Sequence, residues 1–229
     1  MTDTDTALRT AIDAARQDVV DKGRQLLRSS MTVGSWGNLS CRINEGMVAI
    51  TPSGMGYEAM EPEDVIIVDM EGNVLEGEHI PSSEMPLHLA IYKEFSEARG
   101  IVHTHSLYAS SLAVARKFLP PIVEDLAQIV GGTVRCSRYA YPGTPEVGEA
   151  VVEAMDGGHR AALMANHGAV CWGNDLQEAL TTAEVLEKGA QIYCIASQMG
   201  TAFPLAREAV EEMHTFYLDH YAKRQKGEE

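Results

Sequence analysis

Long hydrophobic runs are missing from this 229-residue sequence, and so is any excess of positive charge. No stretch approaches the roughly 18 uninterrupted apolar residues that a membrane-spanning helix needs. Lysine and arginine together number 18, against 33 aspartates and glutamates, which gives a net charge of −15. Because proteins bind nucleic acids and anionic membranes largely through clustered basic side chains, this balance argues against both kinds of partner.

Cysteine is scarce and shows no paired spacing. The four cysteines lie far apart, at Cys41, Cys136, Cys171 and Cys194. This distribution is not that of a zinc knuckle or a disulfide framework and indicates free thiols in a reducing compartment. The first six residues are polar and acidic, so neither a signal peptide nor an arginine-rich transit peptide is predicted. We therefore expect a cytoplasmic protein.

The sequence does have the composition of an ordinary globular protein, with 45% hydrophobic and 22% charged residues. A chain of this length can bury most of its apolar surface. No low-complexity linker, composition break or internal repeat divides it. We expect one domain over residues 1–229, with helices packed on a mixed sheet.

The hydrophobic pattern predicts helices interspersed with short strands. A first helix covers residues 5–30, and two hairpins follow, over 39–51 and 65–75. The next helix, over 87–95, has Ser82 or Ser83 as its predicted N-cap and Glu84 in its first turn. Further strands are predicted over 101–105, 161–165 and 169–172. Further helices are predicted over 107–116, from 145 to the glycines at 157 and 158, from 175 toward 200, and from 204 to the basic residues 223–226.

Three histidines occur where predicted strands end. His103 and His105 are two residues apart, so on a strand both imidazoles point to the same side. His167 follows another apolar strand, at a glycine turn. Three neutral imidazoles are a recurring ligand set for catalytic zinc, although hydrogen-bonded histidines without a metal remain the alternative at this point. The other histidines have no such context and are interpreted as surface or packing residues: His79, His88, His159, His214 and His220.

Glu84 and three small polar clusters are further candidates for a site. A carboxylate at the start of a helix is favoured by the helix dipole, so Glu84 either only stabilises the helix or acts beside a metal. Each cluster can offer backbone N–H groups or hydroxyls to an anion. A phosphate site made of such neutral donors suits an acidic protein, because it needs no basic patch. The clusters are Gly37-Asn38, Ser53-Gly54 and Ser82-Ser83.

The succession of these motifs resembles the class II aldolase/adducin family, most closely its fuculose-1-phosphate-type, zinc-dependent aldolases. The resemblance extends from about residue 8 to beyond 215. It rests on Gly37-Asn38-Leu39-Ser40, Thr51-Pro52-Ser53-Gly54, Pro81-Ser82-Ser83-Glu84, His103-Thr104-His105 and Asn166-His167-Gly168. It implies an α/β fold, a three-layer α/β/α sandwich with a mixed, largely antiparallel central sheet. It also implies a homotetramer with its sites at subunit interfaces.

The resemblance also implies an activity and residue roles. The activity is the reversible, metal-dependent cleavage of a ketose 1-phosphate to dihydroxyacetone phosphate and an aldehyde. The substrate would be of the fuculose, 5-deoxyribulose or methylthioribulose type. Zinc would lie on His103, His105 and His167, with Glu84 as a fourth ligand or the acid/base, and Mn²⁺, Co²⁺ or Ni²⁺ would suit the same ligands. The substrate phosphate would contact Gly37, Asn38, Ser53, Gly54, Ser82 and Ser83.

The sequence departs from that branch after the metal-binding histidines. Residues 120–125 hold no tyrosine where the fuculose-phosphate aldolases place one that reaches a neighbouring subunit. Glu124 is instead a candidate for the aldehyde end or for proton donation, or else a solvated helix acid. Tyr217 is the candidate for a second tyrosine near the C-terminus.

Other activities on the same fold stay open at this point. They are a sugar-phosphate 4-epimerase of the ribulose-5-phosphate type, a methylthioribulose-1-phosphate dehydratase and a sugar-acid phosphate decarboxylase. A non-catalytic adducin-like interaction module is a further alternative. The presence of all three histidines and of Glu84 argues against that module.

Overall fold

A computed structural model describes residues 3–221 of the chain. The helices are α1 (Asp3–Arg28), α2 (Met85–Glu94), α3 (Leu107–Val114), α4 (Glu124–Val130), α5 (Pro145–Ala154), α6 (Leu176–Met199) and α7 (Arg207–Phe216). The strands are β1 (Asn38–Asn44), β2 (Met47–Ile50), β3 (Ile66–Asp69), β4 (Val74–Glu76), β5 (Gly100–Thr104), β6 (Ala161–Met164) and β7 (Gly168–Gly173). A short 3-10 helix (Pro62–Asp64) precedes β3, and a π-helical turn (Tyr217–Tyr221) follows α7. No helix of residues 3–221 is long and apolar enough to span a bilayer.

The seven strands form one sheet in the order β4-β3-β2-β1-β5-β7-β6. Every pair of neighbouring strands is antiparallel. A parallel contact occurs at an isolated bridge between Cys136 and Leu163. The pairing of β1 with β5 sets Asn38 opposite His103. Residues that are 65 positions apart in the chain thus meet at the centre of the sheet.

Helices cover both faces of this sheet. Successive side chains of a strand point to opposite faces, and each face packs in a hydrophobic core of its own. Val102 and Cys171 pack on one side with α1, α3, α4 and α6. Their neighbours Ile101 and Val170 pack on the other side with α2 and α5. Both faces of the sheet are therefore buried, and the predicted three-layer α/β/α sandwich is confirmed.

Most of the elements predicted from sequence are present, two of them differ notably, and one helix was not predicted. Glu84 itself is the N-cap of α2, so the assignment of Ser82 or Ser83 as N-cap was wrong. The reason is a turn ahead of the helix, in which Ser82 Oγ accepts the Glu84 N–H at 3.2 Å. Helix α4 was not predicted. The last helix begins at Arg207 rather than near 204, and its predicted end at 223–226 lies outside the described residues.

Candidate metal centre and substrate pocket

Four side chains predicted as metal ligands converge near the end of β5. Glu84, His103, His105 and His167 each offer a ligand atom, and these atoms lie within 4.8 Å of one another. His103 Nε2 is 2.9 Å from His105 Nε2 and 3.0 Å from Glu84 Oε2. His167 Nε2 is 3.4 Å from Glu84 Oε1. The structure therefore brings all four residues to one point.

Local backbone geometry holds His167 against β5. Asn166 has a φ of +56°, a left-handed conformation that asparagine tolerates better than most residues. A Cβ on Gly168 would lie 2.0 Å from the Thr104 carbonyl oxygen, so only glycine allows this approach. The turn between β6 and β7 thus places the His167 imidazole beside the two imidazoles of the β5 end.

The protonation pattern of His103 suits a bound cation. Its Nδ1 is 2.9 Å from the Ala169 carbonyl oxygen and donates to it, which leaves the Nε2 lone pair facing the other ligands. Glu84 Oε1 is buried and accepts no hydrogen bond from the described residues. A divalent metal would satisfy this oxygen and all three Nε2 lone pairs at once. The residues therefore fit a zinc-type site.

The electrostatics of the cluster favour the metal-binding forms of Glu84, His105 and His167. Burial opposes ionisation of Glu84, but the charge and hydrogen bond of His103 outweigh it, so the pKa of Glu84 lies well below its usual range. Burial opposes protonation of His103, yet Glu84 raises its pKa. Burial, helped by the charge of His103, lowers the pKa of His105 to about 3 and that of His167 to about 4. An ionised carboxylate and neutral imidazoles are the forms that coordinate a metal.

A cavity of about 420 Å³ opens beside these ligands. Glu84, His105 and His167 line it, whereas His103 is fully buried. All six residues predicted to hold a phosphate line the same cavity: Gly37, Asn38, Ser53, Gly54, Ser82 and Ser83. No lysine or arginine of the described residues lines it. Hydroxyls, amides and backbone N–H groups are therefore the donors available to an anion there.

Two of the three polar clusters are joined by backbone hydrogen bonds. Ser53 N–H donates to the Ile80 carbonyl at 2.8 Å, and Ser82 N–H donates to the Thr51 carbonyl at 3.0 Å. Gly54 has a φ of +73°, which lets the chain turn at this point. The Ser53-Gly54 and Ser82-Ser83 segments thus lie side by side at one wall of the cavity.

Glu124 and Tyr217 lie elsewhere in the chain. Glu124 is the exposed first residue of α4, and Tyr217 is buried in the core on the α1 face of the sheet. Neither residue lines the cavity formed by this chain. A role for either one at the site therefore requires a second subunit.

The sequence analysis missed His88, which is fully buried on α2. Its Nε2 is 2.5 Å from Asn38 Oδ1, and Asn38 Nδ2 donates to Glu84 Oε2 at 3.0 Å. Burial lowers the pKa of His88 to about 3. The signal for this contact was the four-residue spacing from Glu84 to His88, which puts both on one helix face.

Two aromatic residues at the cavity were also missed. Trp36 and Tyr139 line it although they are 66% and 57% exposed. The Trp36 ring centroid is 5.6 Å from that of His105. An apolar wall is therefore available close to the predicted metal ligands.

Comparison with known proteins agrees with this geometry. A family model described as the class II aldolase and adducin N-terminal domain matches residues 17–194, more than half of the chain. The chain belongs to this family. The predicted family is therefore confirmed.

Named relatives in this family include both aldolases and epimerases. A curated 5-deoxy-D-ribulose 1-phosphate aldolase of Bacillus thuringiensis serovar kurstaki is 39% identical over 199 residues, covering 86% of this chain and 92% of the relative. A curated L-ribulose-5-phosphate 4-epimerase of Salmonella paratyphi B is 33% identical over 198 residues, covering 82% and 87%. A solved structure of an L-fuculose 1-phosphate aldolase superposes with a TM-score of 0.86 at 35% identity, covering 90% of this chain and 96% of that one. The chain is thus more similar to these two aldolases than to this epimerase.

Proposed function

We propose that this protein is a metal-dependent aldolase that reversibly cleaves a ketose 1-phosphate into dihydroxyacetone phosphate and an aldehyde. One observation carries the proposal: the His103, His105, His167 and Glu84 cluster adjoins the cavity that all six candidate phosphate-binding residues line. The aldolase relatives and the aldolase superposition support the same reaction.

Zinc is the proposed metal, held by the three imidazoles with Glu84 as fourth ligand or acid/base. Manganese, cobalt and nickel ions suit the same donor set. When bound, such a metal supplies Lewis-acid stabilisation of the negative charge that develops on the substrate oxygens at C2 and C3, worth several kcal/mol. The remaining tasks fall to side chains of the protein.

Glu84 is the proposed proton carrier at the three-carbon fragment. When the C3–C4 bond breaks, the C4 hydroxyl loses its proton to become the aldehyde, and C3 must gain one. Asn38 holds Glu84 Oε2 at 3.0 Å, while Oε1 accepts no hydrogen bond from the described residues. Oε1 is therefore the oxygen that would either hold the metal or, released from it, hold and return a proton at C3.

The phosphate group is proposed to lie against the neutral donors of the cavity. Ser82 and Ser83 precede α2, so their hydroxyls, together with the dipole of this helix, favour an anion there. Gly37 and Gly54 add backbone amides, and Asn38 and Ser53 add polar side chains. Binding at this fixed end orients the carbon chain toward Glu84 and the metal ligands, independently of the aldehyde fragment.

The aldehyde end is proposed to be apolar. Trp36, Pro52, Tyr139 and Pro142 line the cavity without adding a charge. This wall suits the aldehydes released from 5-deoxyribulose, fuculose or methylthioribulose 1-phosphate. The similarity to a 5-deoxy-D-ribulose 1-phosphate aldolase favours the first of these.

We further propose that the protein is a cytoplasmic homotetramer. Its substrate would be a phosphorylated sugar, and it would have no nucleic-acid or membrane partner. Each site would then lie at a subunit interface, where the exposed Glu124 of a neighbouring chain could act at the C4 hydroxyl, whereas Tyr217 is buried in the core of its own chain. The exposure of Trp36 and Tyr139 beside the cavity supports an interface at this point, because large exposed aromatics are typical of such surfaces.

The second candidate is a sugar-phosphate 4-epimerase, which the Salmonella relative favours. Such an enzyme breaks and re-forms the same kind of carbon–carbon bond with the same kind of metal site. It fits less well, because the identity to this relative is 33% against 39% for the aldolase.

A substrate panel separates the two candidates. Zinc-loaded protein is incubated with 5-deoxyribulose 1-phosphate, fuculose 1-phosphate and ribulose 5-phosphate, and dihydroxyacetone phosphate is measured by its enzymatic reduction. The aldolase releases it from a ketose 1-phosphate in equal amount to the aldehyde. Conversion of ribulose 5-phosphate to its 4-epimer, with no dihydroxyacetone phosphate from any substrate, would replace the aldolase by the epimerase.

A further inference from the structure

A chain of buried hydrogen bonds leads from Glu84, between α2 and β1, to Tyr92. Asn38 Nδ2 is 3.0 Å from Glu84 Oε2, and Asn38 Oδ1 is 2.5 Å from His88 Nε2. His88 Nδ1 is 2.6 Å from Ser40 Oγ, which is 2.9 Å from the Tyr92 hydroxyl. All five side chains are buried. Water therefore does not compete for these contacts.

The direction of every bond in this chain follows from its Glu84 end. An ionised carboxylate only accepts, so Asn38 must turn its Nδ2 toward Glu84 and its Oδ1 toward His88. An amide oxygen also only accepts, so His88 must carry its proton on Nε2. The neutral ring then accepts at Nδ1, which requires the Ser40 hydroxyl to donate to it and the Tyr92 hydroxyl to donate to Ser40.

The opposite direction of donation along these hydrogen bonds would disturb the site. If His88 carried its proton on Nδ1, its Nε2 would accept, and the Asn38 amide would turn over to supply a donor. Asn38 Oδ1 would then face Glu84 Oε2, acceptor against acceptor, in a buried setting where such a pair is costly. Ser40 can follow either state because its hydroxyl both donates and accepts, so the Glu84 end decides between them.

We propose that His88 is a positioning residue that fixes the Asn38 amide and, through it, the orientation of the Glu84 carboxylate. Oε2 is held by Asn38, and Oε1 is kept toward His167 and the cavity. Ser40 satisfies the bare Nδ1 of His88 in this tautomer. The inference rests on the proposed function for the role of Glu84 in turnover, but the tautomer itself is a property of the folded protein.

The first test reads the tautomer directly and needs no substrate. Nitrogen-15 labelling of histidine in the zinc-loaded protein distinguishes protonated from bare ring nitrogens by chemical shift. We expect His88 as the neutral Nε2–H tautomer, in Ser40→Ala as in the wild type, because Glu84 and Asn38 set it. A wild-type His88 protonated on Nδ1 overturns the proposal.

The second test compares two replacements of His88. His88→Leu removes the donor to Asn38 and should lower kcat about 10- to 100-fold, the usual range for residues that orient metal-site groups, with KM little changed. His88→Gln keeps an N–H donor of similar reach and should recover most of that loss. Both variants should retain one zinc per chain.

A control variant and two outcomes make this comparison decisive. Thr182→Val removes another buried hydrogen bond, 2.8 Å to the Glu178 carbonyl on α6, and should leave kcat unchanged. Wild-type turnover in His88→Leu, or equal losses in the Leu and Gln variants at equal zinc content, overturns the proposal. If His88→Leu does not fold, the nitrogen-15 spectrum of the wild type and the kcat of His88→Gln decide, since the spectrum should show the Nε2–H tautomer and His88→Gln should keep most of the wild-type kcat.

Failure of the proposed function is recognised separately. In that case no ketose 1-phosphate releases dihydroxyacetone phosphate with the wild-type protein, whatever residue 88 is. The nitrogen-15 spectrum then still decides whether the chain of hydrogen bonds is directed toward Glu84.

Discussion

Gly37 has a left-handed backbone conformation and also lies very close to the backbone of His103. Its φ is +74°, and a Cβ there would lie 2.7 Å from the His103 carbonyl oxygen. Gly37→Ala should therefore add overpacking against β5 to the strain of a left-handed alanine, lowering the free energy of unfolding by about 3 kcal/mol. Urea denaturation measures this change.

Gly34 provides the matched control for that substitution. Its φ is +65°, and nothing lies within 4 Å of an added Cβ. Gly34→Ala should cost only the backbone strain, about 1 kcal/mol. Equal losses of unfolding free energy in Gly37→Ala and Gly34→Ala would show that the close approach of Gly37 to His103 adds nothing to the cost of the substitution.

The burial of His88 predicts a pH dependence of stability. Its pKa is lowered from 6.5 to about 3 in the folded protein. Between these pH values the unfolded chain therefore binds a proton on His88 and the folded chain does not. The stability contributed by the neutral ring is complete above pH 6.5 and is lost as the pH falls from there toward 3. His88→Gln should therefore reduce the slope of unfolding free energy against pH in this window by up to one proton. Identical slopes for the metal-free wild type and the variant would contradict this prediction.

At the scale of elements, α6 lies unusually close to β5 and β7. A Cβ on Gly173 would lie 2.5 Å from the Ala179 nitrogen, and one on Gly100 would lie 2.4 Å from the Leu176 Cα. These are backbone atoms of the helix, so they cannot move without shifting α6. Gly173→Ala should lower the free energy of unfolding by about 2–3 kcal/mol in denaturation experiments.

Gly46 is the control for this contact between helix and sheet. The nearest atom to an added Cβ, Asn44 Oδ1, is 3.7 Å away, an ordinary contact distance. Gly46→Ala should change stability by no more than about 0.5 kcal/mol. A loss at Gly173 no larger than that at Gly46 would mean that α6 adjusts freely.

The sequence predicted elements with strong local signals and missed those without them. The apolar pair Ile101-Val102 and the helix start predicted at residue 175 are local signals, and β5 and α6 follow them. Helix α4 covers seven residues, about two turns, which is too short for its periodicity to stand out after two prolines.

The candidate site was predictable only in part, for a related reason. The histidine ligands are visible because His103 and His105 lie two residues apart on a strand. The place of His88 depends on the pairing of β1 with β5 and on the packing of α2 against β1. Those long-range contacts bring Asn38 and Ser40 to the His88 ring, and no local pattern encodes them.

At the scale of the whole molecule, the acidic composition and the proposed anionic substrate are compatible. The net charge is −15, yet the cavity offers neutral donors, a helix N-terminus and a set of ligands for a cation. For binding an anion in the cavity, these donors and metal ligands therefore matter more than the net charge of the whole protein.

The proposed tetramer makes a prediction about mixed subunits. Glu124 is exposed and outside the cavity of its own chain, so it can act only in a neighbour's site. Light scattering should give four times the chain mass. When His105→Ala and Glu124→Ala chains are unfolded and refolded together, activity should exceed that of either parent, because some sites regain both residues.

Two results would contradict the role of Glu124. Full activity of the Glu124→Ala homo-oligomer would remove it from the reaction. Absence of recovery in the mixed oligomer, with both parents folded, would place its action within one chain.

The most direct test of the metal-dependent aldolase site measures zinc content and dihydroxyacetone phosphate release on the same samples. His105→Ala should lose zinc and activity together, because a ligand is gone. Glu84→Gln should keep zinc bound by the three imidazoles and lose most turnover, about 100-fold or more, as expected for an acid/base. His79→Ala, at an exposed histidine outside the site, should match the wild type. A fully active His105→Ala protein would contradict the account.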